Sequence, residues 1–144
     1  MPVDEVRLEK FSKLIERVAS QCGSGIPILV EGRNDKFTLR QLGVHGKIFE
    51  IKSHGENLFA FLDRLLNEIK ALILLTDFDE EGDELAFSII DELSRRGIKV
   101  NDRIRKGLKK MVSSEIRSIE DLKGFFERLK SKTINRRPYA LSKQ

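Results

Sequence analysis

The chain has 144 residues, of which 40% are apolar and 35% are charged, so it can form one compact domain with a sizeable core but not several domains. Its single cysteine excludes an internal disulfide and a cysteine-based zinc ribbon. The net charge of +4 is compatible with a partner that carries phosphate groups. Charged residues within the first ten positions, and the lack of any apolar run of membrane-spanning length, predict a cytoplasmic protein with no membrane partner.

Apolar periodicity divides the chain into alternating helices and strands. Apolar residues at helical spacing predict amphipathic helices, whereas short continuous apolar runs predict strands covered on both faces. In chain order we predict a helix over 4–19, a strand over 26–31, a helix over 35–42, a strand over 48–51, a helix over 53–69 opened by a Ser53–Glu56 capping box, a strand over 71–76, a helix over 85–96, a brief strand over 98–100 and helices over 102–112 and 118–130. From about Ser131 the periodicity is lost and positive charge increases, which indicates a mobile tail.

This order of elements predicts an α/β fold. Alternating strands and helices favour a mostly parallel, Rossmann-like four-stranded sheet, with helices on both faces and right-handed crossovers. We expect an N-terminal helix in residues 1–25, the α/β domain in 26–112, and a C-terminal helix with a basic tail in 113–144.

Carboxylate residues follow two of the predicted strands. Glu31 ends the first strand, and Asp77 and Asp79 come directly after the third. Ligands of open parallel sheets bind beyond the carboxyl ends of the strands, and side chains two residues apart on an extended segment share one side. Three ionised carboxylates that lie close together repel one another unless their pKa values rise or a cation neutralises them. A hard divalent cation with oxygen ligands, such as Mg²⁺, fits this arrangement.

Part of this acidic run has an alternative interpretation. Asp79, Glu80 and Glu81 precede a predicted helix, where carboxylates cap free N–H groups and offset the helix dipole. We assign that structural role to Glu80. For Asp77 and Asp79 we favour the metal, because one cap is sufficient for the helix and because Asp77 ends a strand that should be buried.

Two segments resemble the motifs of the Toprim domain, which is shared by type IA topoisomerases, bacterial-type primases, a ribosomal-RNA maturation nuclease, OLD-family nucleases and recombination mediators. Residues 30–35, Val-Glu-Gly-Arg-Asn-Asp, resemble the strand-ending Glu-Gly-x-x-Asp motif, especially its primase and maturation-nuclease forms. Residues 76–86, Thr-Asp-Phe-Asp-Glu-Glu-Gly-Asp-Glu-Leu-Ala, resemble the Asp-x-Asp-x-x-Gly motif in its topoisomerase form. Both motifs follow apolar strands in the family's order, and the resemblance extends over roughly residues 26–100.

The resemblance implies a Toprim fold and a set of roles for the acidic residues. Glu31, Asp77 and Asp79 would hold Mg²⁺, for which Mn²⁺ could substitute, and Glu81 would be a further ligand. Glu31 would also act as the general acid or base. Gly32 and Gly82 would let a phosphate approach the backbone closely, although a glycine at either position could equally serve only a tight turn.

Basic residues near the motifs are candidates for nucleic-acid contact. They form one group after the first motif and a second, denser group beyond the fourth strand, although either could be a solvated helix face. The candidates are Arg33, Lys36 and Arg40 in the first group, and Arg103, Arg105 and Lys106 in the second.

The rest of the sequence narrows the functions that the resemblance allows. The only tyrosine, Tyr139, lies in the predicted tail rather than in a topoisomerase gate domain, and the chain has neither a zinc ribbon nor a phosphate-binding loop of an ATPase. The remaining precedent is the compact maturation nuclease, so we expect a Mg²⁺-dependent enzyme that cleaves phosphodiester bonds of structured RNA. The alternatives are a non-catalytic RNA- or DNA-binding module, or a subunit of an RNA-processing, primase or repair complex with a protein partner.

Overall fold

The computed structural model describes residues 3–54 and 57–135. Its helices and strands, in chain order, are α1 (Val3–Gly23), β1 (Ile28–Val30), α2 (Arg33–Gln41), β2 (Ile48–Glu50), α3 (Leu58–Leu66), β3 (Ala71–Leu75), α4 (Glu80–Arg95), β4 (Lys99–Asn101), α5 (Arg103–Val112) and α6 (Leu122–Asn135). Two short 3₁₀ turns, Ile51–His54 and Ile119–Asp121, precede α3 and α6. None of the helices in the described part of the chain has both the length and the apolar character needed to cross a membrane.

The four strands form one parallel sheet in the order β2-β1-β3-β4. At its centre Ile28 of β1 pairs with Ile48 of β2 on one side and with Ile73 of β3 on the other. This arrangement confirms the predicted α/β fold. Because the strands are parallel, their carboxyl ends lie at one edge, and the segments that follow β1 and β3 are neighbours there.

Alternate residues of the strands enter two separate cores. On one face Val30 and Leu75 pack against α1, α2, α5 and α6, and on the other face Leu29 and Leu74 pack against α3 and α4. All four side chains are fully buried, and burial of each contributes about 1.5–3 kcal/mol to folding. The sheet therefore holds the segments that follow its strands from both faces.

Two predicted element boundaries were wrong. Asn57 caps α3, because its side-chain oxygen accepts a hydrogen bond of 2.8 Å from the N–H of Ala60. The predicted capping residue, Ser53, instead lies in the 3₁₀ turn after β2. Helix α6 continues to Asn135, past the predicted start of the tail, because Leu129 and Thr133 still face the core. The rest of that tail, residues 136–144, is outside the described residues.

Candidate metal centre

A shallow depression of about 340 Å³ lies at the carboxyl edge of the sheet, where the segments after β1, β2 and β3 meet. It is lined by Gly32, Arg33, Asn34, Asp35, Lys52, Asp77 and Glu120. The first four belong to the turn after β1 and the start of α2, and the last belongs to the 3₁₀ turn before α6. The parallel sheet thus brings the two acidic motifs together, and the C-terminal part of the chain covers one side of them.

Glu31 and Asp77 are connected across the two central strands. Oε2 of Glu31 accepts a hydrogen bond of 2.8 Å from the backbone N–H of Asp77. The other carboxylate oxygen of Glu31 lies 3.7 Å from Nζ of Lys52. Because the Lys52 side chain is 71% exposed, this ion pair adds little to stability. The hydrogen bond fixes the position of Glu31 beside Asp77, and the second oxygen faces Lys52, which lines the depression.

The carboxyl of Asp77 is held in an unfavourable environment for its charge. The pKa of Asp77 is raised to about 6, mainly by burial; the nearby carboxylates of Asp35, Glu31 and Asp79 also raise it, and the Ile119 N–H lowers it. That N–H donates a hydrogen bond of 2.9 Å to Oδ1 of Asp77. The four acids therefore form one electrostatic cluster, and a bound cation would relieve their repulsion.

Asp79 caps helix α4. Its Oδ1 accepts a hydrogen bond of 2.7 Å from the backbone N–H of Gly82, so the capping role considered for this acidic run belongs to Asp79. One carboxylate oxygen of Asp79 is thereby engaged, and its role as a metal ligand remains a prediction. Glu80 and Glu81 are both exposed in the first turn of α4, where their charges complement the helix dipole.

The donors around the depression fit magnesium chemically. All the acidic groups there offer carboxylate oxygens, the ligands that Mg²⁺ prefers. Within residues 3–54 and 57–135, however, no three His, Cys, Asp or Glu side chains are grouped closely enough to form a ready-made metal cage. Mg²⁺ commonly uses only one or two protein carboxylates and keeps several waters. The residues therefore fit a hydrated ion held by few protein oxygens.

Four residues that line the depression were not singled out from the sequence, namely Asn34, Asp35, Lys52 and Glu120. Asp35 is buried, and its Oδ2 accepts a hydrogen bond of 3.0 Å from the backbone N–H of Gly32. Burial raises the pKa of Asp35, and the carboxylates of Glu31 and Glu120 raise it further. The signal for Asp35 was its place as the last residue of the Glu-Gly-x-x-Asp motif. Lys52 could have been found because it follows β2, a neighbour of β1 whose carboxyl end lies at the same edge.

The two motif glycines occupy different environments. A Cβ on Gly32 would meet only Cδ of Lys52, at 4.0 Å, so this side of Gly32 is open, whereas its N–H is bound to Asp35; the approach of a phosphate there stays a prediction. A Cβ on Gly82 would lie 1.9 Å from the backbone oxygen of Asp77, and its N–H already binds Asp79. The side of Gly82 that a Cβ would occupy is therefore filled by the protein's own backbone, and the approach of a phosphate to Gly82 stays a prediction.

The first group of basic residues is spread along α2. Arg33 is exposed and lines the depression. Lys36 forms an ion pair of 3.6 Å with Glu50. Arg40 donates a hydrogen bond of 3.2 Å to the carbonyl of Val44, at the other end of the helix and about 10 Å from Arg33 by helical rise. Of these three cations only Arg33 reaches the depression, so the expected position of Arg40 near the site was wrong.

In the second group, Arg105 is a buried support of the acidic motif. Its guanidinium is almost inaccessible and donates to the carbonyl oxygen of Thr76 at 3.0 Å, to that of Asp77, and to Oδ1 of Asp83 at 2.7 Å. A group enclosed in this way cannot contact a nucleic acid, so its predicted role was wrong. Arg103 is exposed, and Lys106 is exposed and forms an ion pair of 3.2 Å with Asp102. These two remain candidates for nucleic-acid contact.

The raised pKa of Asp77 predicts how stability depends on pH when no metal is bound. The folded-state pKa of about 6 lies above the ordinary value of 3.8, so between these pH values the folded protein retains a proton that the unfolded chain has released. Asp77 therefore contributes most to the free energy of unfolding below about pH 4. This contribution falls by at most about 3 kcal/mol as the pH rises to about 6.

Urea unfolding in EDTA between these pH values would measure this dependence. Asp77→Asn keeps an oxygen for the Ile119 N–H but has no charge, so its unfolding free energy should fall less steeply with pH than that of the wild type. Above about pH 6 the variant should be the more stable of the two. An equal dependence of the unfolding free energy on pH in the two proteins would contradict a raised pKa of Asp77.

A larger concavity, of about 900 Å³, lies between α1 and α5. Among the described residues that line it, Val6, Leu14 and Met111 are apolar and Glu115 carries the one carboxylate. Its five cations are Arg7, Lys10, Lys13, Arg17 and Lys110. This basic groove has the greater volume, but a lining of five cations and one carboxylate would repel Mg²⁺. We therefore place the candidate metal centre in the smaller, acidic depression.

Comparisons with known proteins agree with the two motifs and with the fold. The Toprim domain family model matches residues 26–105. A UPF0292 protein of Methanocaldococcus jannaschii is 42% identical over 115 residues, which cover 79% of this chain and 88% of that protein. A UPF0292 protein of Methanosarcina barkeri is 32% identical over 127 residues, which cover 88% of this chain and 87% of that protein. The solved structure of a protein from Aquifex aeolicus matches 76% of this chain and 95% of its own with a TM-score of 0.63 and 28% identity. The chain therefore belongs to the Toprim domain family.

Proposed function

We propose that this protein is a Mg²⁺-dependent enzyme that cleaves phosphodiester bonds in structured RNA. Toprim domains generally bind Mg²⁺ through acidic residues, and the family suggests a metal-dependent function related to nucleic acids. The observation that supports the proposal most is the group of carboxylates around Asp77, whose pKa is raised first by burial and also by those carboxylates, since a divalent cation would stabilise the charged form of Asp77. The preference for RNA rests on the likeness of residues 30–35 to the maturation-nuclease motif.

Asp77, Arg33 and Lys52, which line the depression, and Glu31 beside them have roles in this proposal. Asp77 would hold the metal through the oxygen that the Ile119 N–H does not engage. Bound Mg²⁺ would stabilise the negative charge that develops on the phosphate during cleavage. Glu31 is anchored on the Asp77 N–H by one oxygen and would transfer a proton with the other, at the attacking or leaving oxygen of the substrate. Arg33 and Lys52, at the rim, would offset the charge of the incoming phosphate.

Glu31→Gln should remove cleavage while leaving the fold intact. The glutamine side-chain oxygen can still accept the hydrogen bond from the Asp77 N–H, but the amide cannot transfer a proton. We expect the rate of Mg²⁺-dependent cleavage to fall by about 100-fold or more. The measurement uses end-labelled RNA and DNA hairpins and a titration of Mg²⁺ and Mn²⁺.

Glu68→Gln provides the matched control. Glu68 also forms an ion pair with a lysine, at 3.5 Å from Lys47, but it lies near the amino ends of the strands, away from the depression. Its substitution should leave the cleavage rate unchanged. Equal cleavage by the Glu31→Gln variant and the wild type would refute the catalytic role, and a wild-type protein that cleaves neither RNA nor DNA at any metal concentration would refute the enzyme.

A second candidate function, a non-catalytic RNA-binding module, is favoured by the basic groove between α1 and α5. Lys10, Arg17 and Lys110 in its lining form no ion pair with any residue in 3–54 or 57–135. Unpaired cations on both sides of a groove attract a polyanion and release its counterions when it binds. A module of this kind would bind RNA through the groove, without any need for metal.

The double variant Lys10→Glu, Lys110→Glu tests the contribution of the groove. We expect its affinity for a double-stranded RNA, measured in EDTA, to be lower by about tenfold or more and less dependent on salt. The control is Lys70→Glu, Lys99→Glu, which changes the net charge equally at two exposed lysines outside the groove. Equal losses in the two double variants would mean that net charge alone sets the affinity, and the groove would then have no specific role.

A further inference from the structure

We propose that Phe37 is a stacking platform for an unpaired base of the substrate, and that Arg33 beside it binds the adjoining phosphate. This inference rests on the proposed function, since it takes a nucleic acid to be the ligand of the depression. It goes beyond that function by naming the part of the substrate that binds there, an unpaired nucleotide in a loop, a bulge or a single strand.

The position of Phe37 follows from helix geometry. Arg33 and Asn34 line the depression at the start of α2. Phe37 is four residues after Arg33 and three after Asn34 in the same helix. Side chains at these spacings lie on one face, with their Cβ atoms about 5–6 Å apart. The phenyl ring of Phe37 therefore adjoins the opening of the depression.

The exposure of Phe37 is not explained by packing. Its side chain is 62% exposed, whereas Phe11, Phe61 and Phe125 are buried. Helix α2 is attached to the core through Leu39, which is on a different face and is fully buried. Single exposed apolar residues are common on protein surfaces. This one is distinguished by its neighbour Arg33, an exposed cation that forms no ion pair with the described residues.

The charges of the depression favour a base on Phe37 and a phosphate on Arg33. The carboxylates at its centre repel a phosphate that is not accompanied by a cation, whereas Arg33 at the rim attracts one. A base is uncharged, and it can bind the ring of Phe37 without approaching the carboxylates. Proteins that bind single strands combine cations with exposed aromatic rings in this way.

The same geometry selects an unpaired nucleotide. In a continuous duplex both faces of each base are covered by its neighbours, so no base can stack on a protein side chain without being unstacked first. An unpaired base offers its face at no such cost. The structured RNA of the proposed function should therefore be bound at a loop, a bulge or a single-stranded end.

The test compares Phe37→Ala with Phe37→Trp and with the matched control Phe87→Ala. Phe87 is 73% exposed, but it lies on α4, on the other face of the sheet. All three substitutions are made in a Glu31→Gln background with Mg²⁺ present, so that the probes stay intact. The probes are a 12-nucleotide single-stranded RNA with one 2-aminopurine, and a blunt-ended duplex of the same strand with its full complement.

Phe37→Ala should weaken binding of the single strand by about tenfold or more and should abolish the quenching of 2-aminopurine fluorescence that stacking causes. Phe37→Trp should preserve both the affinity and the quenching, and Phe87→Ala should bind like the parent protein. Binding of the blunt-ended duplex should not change in any variant. Thermal unfolding followed by circular dichroism checks that the exposed substitutions leave the fold unchanged.

Two results would overturn the stacking site. In the first, Phe37→Ala binds the single strand and quenches 2-aminopurine as well as the parent protein does. In the second, Phe37→Ala and Phe87→Ala lose the same amount of affinity for the single strand. Either would leave the proposed function standing if the wild type still cleaves RNA with Mg²⁺. A wild-type protein that binds neither probe and cleaves neither RNA nor DNA would overturn both proposals together.

Discussion

Gly82→Ala is expected to destabilise the protein by about 3 kcal/mol or more. A Cβ at this position would lie 1.9 Å from the backbone oxygen of Asp77 and 2.6 Å from its carbonyl carbon. These atoms cannot yield easily, because the Asp77 carbonyl also accepts a hydrogen bond from the buried guanidinium of Arg105. The methyl group would therefore displace the segment that carries the candidate metal ligand, and Mg²⁺ binding should weaken together with stability.

Gly124→Ala is the matched control for this substitution. Gly124 is also in a helix, α6, but a Cβ there would meet only the end of the flexible Arg128 side chain, at 3.2 Å. Replacing glycine by alanine in a helix ordinarily stabilises it by about 1 kcal/mol. Urea unfolding should therefore shift in opposite directions for the two variants. A Gly82→Ala protein as stable as the wild type would show that the close approach to Asp77 is not rigid.

The strands and the position of the acidic site could be predicted because each depends on a short stretch of sequence. The runs over 28–30 and 71–75 are apolar throughout, as they must be in strands with helices on both faces. In a parallel sheet all carboxyl ends share one edge, so the residues that follow these strands, Glu31 and Asp77, had to meet. The hydrogen bond between them is a consequence of that topology.

The sequence could not decide whether residues of the acidic run cap helix α4 or bind a metal. A helix N-cap and a Mg²⁺ site can both use the carboxylate oxygen of an aspartate, so the sequence alone does not show which role Asp79 has. The start of α3 posed the same difficulty, since Ser53 and Asn57 are both good capping residues. The choice between them depends on where the chain leaves the 3₁₀ turn after β2, which is set by packing rather than by local sequence.

The other features of the site that the sequence did not predict depend on contacts between residues far apart in the chain. The Ile119 N–H that binds Asp77 lies 42 residues away in the sequence, in a turn that α6 holds in place. Arg105 is one of five basic residues within 103–110, and local spacing does not distinguish it from its exposed neighbours. Arg105 is buried because the carbonyl groups of Thr76 and Asp77, 29 and 28 residues earlier and directly after β3, need hydrogen-bond donors where the strand ends.

Arg105→Ala is expected to destabilise the protein by about 3–5 kcal/mol, because it removes the donor from a buried network. The carbonyl of Thr76 is in a fully buried residue, and without Arg105 it would lose its hydrogen bond of 3.0 Å. A buried carbonyl without a partner costs about 1–3 kcal/mol. The segment between β3 and α4 would also lose its link to α5, so the position of Asp77, and with it Mg²⁺ affinity, should become less well defined.

Arg103→Ala separates this structural role from a role in binding. Arg103 is two residues away in the same helix and is exposed, so its loss should change stability by less than about 0.5 kcal/mol and should weaken only the binding of nucleic acid. Arg105→Lys should be intermediate, because an ammonium can retain the contact with Asp83 but cannot reach all three acceptors as the planar guanidinium does. Unfolding by urea and calorimetric titration with Mg²⁺ measure the two effects. Equal stability of the Arg103 and Arg105 alanine variants would mean that the buried guanidinium does not hold the acidic motif in place.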